Sequence, residues 1–259
     1  MNTARVSSLL GFSVLAAVVA QGATNFSTPV TLTQGGAAPG PTLTGGVLTV
    51  TTAANGQNNV AAFDVSDPGA RPGASFAFGF RISAPVTPSA DGFSFMFANT
   101  TPHGTSGNVA IPQGEEPNVA GVLGFAFDTW NNDTDPGPDN SDLQQIALHY
   151  NGGLVTAVDD TRLLGTPLTL DDGALHSVTG FADFAGGTVS LSVDGQSIFN
   201  NVAVPGLTSM ESRIAFAGRT GGENELVEIT DLNVSFVPEP GSVILGLLGT
   251  ALIFRRRRL

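Results

Sequence analysis

Large apolar residues recur at every second position in this chain, and a period of two selects strands over helices. Phe76, Phe78, Phe80 and Ile82 alternate with Ala77, Gly79 and Arg81, and Phe93, Phe95 and Phe97 alternate with Ser94, Met96 and Ala98. Successive side chains of a strand point to opposite faces, so each run presents one aromatic face for burial. The same period returns at Val189-Leu191-Val193, at Ile214 and Phe216, and at Leu232-Val234-Phe236. The first of these ends at Asp194-Gly195, a hairpin signal. No amphipathic helix is legible between residues 24 and 237. With 33 glycines and 16 prolines among 259 residues, turn formers suffice to join many short strands. The expected architecture is all-β, a two-sheet antiparallel jelly-roll sandwich without internal repeats. Residues 101–121 lack periodicity and are expected to form a long surface loop. Residues 131–142 form a second, acidic one.

Charge narrows the partners. The net charge is −12, cysteine is absent, and all ten basic residues are arginine. Between residues 21 and 237, five arginines face 21 acids. Such a surface repels phosphate backbones and attracts cations, which argues against nucleic acid. Without cysteine there are no disulfides, thiolate metal sites or cysteine nucleophiles. His103, His149 and His176 are scattered and read as satisfied structural histidines.

Both ends read as addresses rather than fold. Arg5 precedes the apolar run 9–20, and Val18 and Ala20 offer a cleavage site before Gln21, the pattern of a secretory signal peptide over residues 1–20. Near the other end, Pro238-Glu239-Pro240 leads into an apolar segment, 242–254, followed by Arg255 to Arg258. Thirteen residues of helix rise only about 20 Å, short of the roughly 30 Å core of a bilayer. Such a tail helix gives a transient membrane hold, with its arginines on the cytoplasmic side. Residues 237–259 resemble the bacterial PEP-CTERM sorting tail. That resemblance implies removal by a membrane exosortase and release to the cell surface or extracellular matrix.

The candidate chemistry follows the apolar run 122–127, which opens into Asp128-Thr129-Trp130-Asn131-Asn132-Asp133-Thr134-Asp135. A strand running into an oxygen-rich loop suits a hard cation, since calcium takes about six to eight oxygens from carboxylates, amides and backbone carbonyls. Asp128 and Asp135 offer carboxylates, Trp130 its backbone oxygen and Asn132 its amide oxygen. The competing reading is a solvated acidic turn.

Ala90-Asp91-Gly92-Phe93-Ser94-Phe95-Met96-Phe97 and the Asp128 segment together resemble the L-type (legume-like) lectin family in its bacterial branch. Segments 145–152, 175–195 and 213–236 follow in the family's order, so the resemblance spans about residues 26–236 of a single domain, 21–236. It implies a concanavalin A-like sandwich and a calcium-dependent carbohydrate-binding protein rather than an enzyme. Its partners would be glycans or exopolysaccharide, with paired sites in a homo-oligomer as a route to avidity. It further implies that Asp91, after a cis Ala90–Asp91 peptide, accepts hydrogen bonds from sugar hydroxyls. Asn132 would serve calcium and a sugar hydroxyl together. Thr220, Gly221 and Gly222 would form a rim loop of backbone donors, and Gly107, or else Gly104 or Gly121, would add one more.

The sequence also departs from the family pattern. Ala126 and Gln145 stand where members with a second, transition-metal site carry Glu and His, and neither suits such a metal, so calcium alone is expected. The loop is short, which leaves Asp139 and Asp142 as alternatives to Asp135. Asp91-Gly92 also reads as a plain hairpin turn, and Trp130 as a packing residue. Two rival functions remain: a matrix scaffold on a lectin fold without sugar binding, and a glycoside hydrolase. The latter needs two carboxylates about 5–9.5 Å apart. No Glu-x-Asp-x-Glu strand exists, and Glu115, Glu116, Glu223, Glu225 and Glu228 lie outside that context.

Overall fold

The computed structural model describes residues 22–83, 89–130, 144–159 and 169–238. The signal read over residues 1–20, the tail beyond Pro238, and Asn132, Asp135, Asp139 and Asp142 lie outside the described residues. In chain order the first strands are β1 (Ala23–Asn25), β2 (Val30–Thr33), β3 (Thr42–Thr44), β4 (Val47–Thr51) and β5 (Asn58–Phe63). Next come β6 (Gly73–Ser83), β7 (Gly92–Asn99), the single-turn helix α1 (Thr100–His103), β8 (Val122–Asp128), β9 (Gln145–Tyr150) and β10 (Gly153–Asp159). The last are β11 (His176–Asp183), β12 (Thr188–Val193), β13 (Gln196–Ala203), β14 (Ser212–Arg219) and β15 (Leu226–Phe236).

These strands build the expected antiparallel two-sheet sandwich. Among the described residues, one sheet has eight strands in the order β13-β12-β11-β6-β15-β4-β3, with β1 also on β15. The other has seven, β10-β9-β8-β7-β14-β5-β2. β15 shares its outer edge, pairing with β4 through residues 227–230 and with β1 through residues 233–235.

The alternating phenylalanines are the core. Phe76, Phe78 and Phe80 of β6 meet Phe93, Phe95, Phe97, Phe125, Phe127 and Phe216 of the facing sheet, all buried. Ring centroids lie 5.0 Å apart for Phe76–Phe95 and Phe78–Phe95, and 4.6 Å apart for the parallel Phe93 and Phe127. Burial contributes roughly 1.5–3 kcal/mol per ring, and each aromatic pair adds about 0.5–1.5 kcal/mol.

The other face of the seven-stranded sheet is covered as well, which corrects the reading of residues 101–121 as a surface loop. From Val109 onward this segment is a strap laid across the strands. Pro112 O accepts from Asn58 Nδ2 of β5 at 2.9 Å, and Gly114 O accepts from Ser94 Oγ of β7 at 2.6 Å. Pro117 packs on Gly124 of β8, and Asn118 Oδ1 lies 2.6 Å from Nδ1 of His149 on β9. Most outward positions beneath the strap are small: Ser94, Ala98, Gly124, Ala126, Ala147, Ala215 and Ala217. Backbone can therefore approach the sheet closely, and Val109 and Ile111 bury themselves against Met96, Val60 and Ala217 in a second apolar cluster. Burial also pushes the His149 imidazole down to about 4, so it is neutral at neutral pH.

Candidate functional site

Strand register gathers the site into one row. Arg219, the last residue of β14, pairs with Gly92, the first of β7. Gly92 pairs in turn with Asp128, the last of β8, and Asp128 with Gln145, the first of β9. Asp91 immediately precedes Gly92 and so lies between two strand ends. The Ala90–Asp91 peptide is cis, as the resemblance implied. Gly92 has φ +125°, and a Cβ there would stand 2.2 Å from Phe127 O, so the pairing needs glycine. The Asp91 backbone is held on both sides. Its N–H donates to Arg219 O at 3.1 Å, and its carbonyl accepts from Thr129 N at 3.1 Å.

Asp91 as a residue is only 4% exposed. Arg219 Nε donates to Oδ2 at 3.0 Å, while Arg219 Nη2 reaches Glu115 Oε1 at 2.9 Å. Burial pushes the Asp91 carboxyl above its ordinary range, and the charge and hydrogen bond of Arg219 oppose that rise. Behind it, Glu225 is fully buried and accepts from Thr129 Oγ1 at 2.7 Å. Burial, reinforced by the carboxylates of Asp171, Asp91 and Glu115, pushes Glu225 up to about 8, even though the Thr129 hydrogen bond acts the other way.

In front of Asp91 opens a concave cavity of ≈ 330 Å³, lined by Ala90, Asp91, Trp130, Arg219, Gly221, Gly222 and Glu223. Gly221 sits over the carboxylate: a Cβ on it would meet Asp91 Oδ2 at 3.2 Å. The rim loop is tied down from behind. Gly221 O accepts from Gly56 N at 3.1 Å, and Asn55 Nδ2 donates to Gly222 O. Thr220 is an anchor and not a rim donor, which corrects its assignment. Its N–H donates to Gln57 O at 3.0 Å, and its hydroxyl accepts from Gln57 N at 3.0 Å and donates to Ala54 O at 2.6 Å.

The glycine expected from the long loop is also misplaced. Gly107 O accepts from Nη2 of Arg213, near the start of β14, whereas Asp91 meets Arg219 at its end. Gly104 N donates to Thr100 O, and Gly121 O accepts from Asn99 N, both beyond the far end of β7. Eight extended residues separate the two ends of that strand by roughly 23 Å. None of the three glycines reaches the cavity. The strap instead reaches the end of β14, where Gly114 lies against Gly218 and the Glu115 carboxylate takes Arg219.

Asp128 is buried at the strand end, with Oδ1 accepting from Trp130 N at 2.8 Å and Gln145 Nε2 3.4 Å from Oδ2. A buried carboxylate and the adjacent Trp130 carbonyl are oxygen donors of the kind calcium takes. Among the described residues, no three His, Cys, Asp or Glu side chains cluster as a metal site. Asn132 and Asp135 fall outside those residues.

Sequence reasoning missed Arg219, Glu115 and Glu223 as members of the site. Arg219 did carry a signal, being one of few cations in a lysine-free acidic chain and adjoining the Thr220-Gly221-Gly222 motif. Glu115 carried none, because its place depends on the strap.

No family model matches this sequence, and no curated protein matches it. Solved structures do. The metal-free lectin I-B4 of Griffonia simplicifolia superposes with a TM-score of 0.59 at 16% identity, covering 83% of this chain and 99% of that one. A lectin from Bauhinia forficata, in complex with GalNAc, gives 0.59 at 18% identity over 84% and 99%. The exoplasmic/lumenal domain of VIP36, in a Ca²⁺/Man3GlcNAc-bound form, gives 0.55 at 15% over 82% and 87%. The sandwich is therefore the L-type lectin fold.

Proposed function

We propose that this protein binds saccharides in the cavity beside Asp91. The observation that carries the reading is the convergence of Asp91, Trp130, Gly221 and Gly222 around one concave space at the ends of β7, β8 and β14. Arg219 occupies Asp91 Oδ2, which leaves Oδ1 to accept a sugar hydroxyl. Trp130 offers an indole for the apolar face of a pyranose ring. The glycine rim lets a ring approach backbone. Structural neighbours that carry GalNAc and Man3GlcNAc on the same fold support glycans as the ligand class. The test is a glycan array with wild type, Asp91→Ala and Asn132→Ala. Hits that vanish in Asp91→Ala support the reading, and no hits with wild type favour a scaffold without sugar binding.

Calcium belongs to the same proposal. Asp128, Trp130 O, Asn132 and Asp135 would hold it, with Asp139 or Asp142 in place of Asp135 as alternatives. The ion would order the loop that follows Trp130 and take no part in bond breaking. Calcium at about 100 times its Kd should stabilise the fold by roughly 2.7 kcal/mol. A thermal shift with calcium that EGTA reverses and Asp128→Ala removes is expected; indifference of wild type to both would end the metal claim.

The addresses complete the reading: an exported protein, held briefly by residues 237–259 and freed by an exosortase-type enzyme at the cell surface or matrix. The signal pattern and the ordered Pro-Glu-Pro, apolar and arginine parts of the tail support it. The mass of the exported protein should lack both ends. Recovery of the intact chain from cytoplasm would contradict this.

A further inference from the structure

The cavity carries an ion network that the saccharide reading uses only at Asp91 Oδ2. Arg219 is its cation, and two of its nitrogens are already committed, Nε to Asp91 Oδ2 at 3.0 Å and Nη2 to Glu115 Oε1 at 2.9 Å. Asp91 and Glu115 are both buried, while the Arg219 side chain is 27% exposed. Glu223 adds another carboxylate to the lining, and among the described residues no basic side chain besides Arg219 lines the cavity. Two carboxylates therefore hold the guanidinium, and the cavity wall adds a third.

We infer that Arg219 is a positioning residue rather than an anion receptor, and that the Asp91–Arg219–Glu115 network makes the cavity prefer amine-bearing saccharides over carboxylate-bearing ones. This rests on the saccharide reading above and names its ligand class. Two mechanisms combine. The bridge from Glu115 through Arg219 fixes which Asp91 oxygen faces the ligand, so the acceptor keeps its direction before a ligand arrives. The surplus negative charge repels a uronate at close range and attracts an ammonium group. Screening by salt should weaken the discrimination, because the cavity is open to solvent.

The test is a titration of full-length protein with three chain-matched oligosaccharides: glucosamine, N-acetylglucosamine and glucuronate. Glucosamine should bind at least tenfold more tightly than glucuronate, with the neutral sugar between them, and the gap should narrow at high salt. Arg219→Gln should weaken all three, because Asp91 loses its brace, and leave the order unchanged. Arg219→Lys, which keeps one bond of the bridge, should recover part of that loss. Glu115→Gln should reduce the glucosamine advantage. Melting curves identify any variant that fails to fold, and the wild-type ratio then decides alone. Equal or tighter binding of glucuronate, with selective loss of glucuronate in Arg219→Gln, would make Arg219 an anion receptor and overturn the inference while sparing the saccharide reading. No binding of any sugar overturns both.

Discussion

At the scale of single residues, the site depends on groups that have no freedom to be anything else. Gly92 combines a left-handed φ with a 2.2 Å approach to Phe127 O, so Gly92→Ala must break the pairing of β7 with β8. A loss of about 2 kcal/mol or more is expected in urea unfolding, together with weaker saccharide binding. Glu225 gives a pH signature. Its carboxyl is raised from 4.5 to about 8 on folding. Between those values the folded chain keeps a proton that the unfolded chain has released, so stability falls as pH rises through this window. Glu225→Gln keeps an acceptor for Thr129 and removes the titration. The melting temperature of the variant should gain on wild type from about pH 5 to pH 8; a constant difference would show that Glu225 ionises normally.

At the scale of elements, the strands were legible and the strap was not, for one physical reason. Large apolar residues at alternate positions announce a buried face, and Phe76, Phe78, Phe80, Phe93, Phe95 and Phe97 did so. The opposite positions carry Ser94, Ala98, Ala126, Ala215 and Ala217, whose small size says nothing until something is seen to lie on them. Their smallness is what admits the backbone of residues 109–120. Ala217→Leu should therefore lift the strap at a cost of about 1–3 kcal/mol and speed amide exchange in residues 111–118. Unchanged exchange there would show that the strap does not rest on this face. The same blindness explains Gly107: the loop's composition suggested a donor, but its path was set by contacts with five strands.

At the scale of the whole molecule, a shared phenylalanine core holds two sheets together and so fixes where their loops meet. Phe78 touches Phe93, Phe95, Phe127 and Phe216, which lie on three strands of the facing sheet. Phe78→Ala should cost about 3–5 kcal/mol, read as a lower midpoint of cooperative unfolding. Half of the site was readable from short motifs, Asp91-Gly92, the Asp128 segment and Gly221-Gly222. The other half was not, because Arg219 reaches Asp91 across 128 residues and Glu115 arrives on the strap. Trp130 makes the site directly observable, since it lines the cavity and is the single tryptophan of the chain. Its fluorescence, titrated with a bound saccharide, should change saturably in wild type and stay flat in a folded Asp91→Asn variant. Emission that ignores a saccharide known to bind, or that responds equally in the variant, would place the sugar elsewhere and contradict the assignment of this cavity.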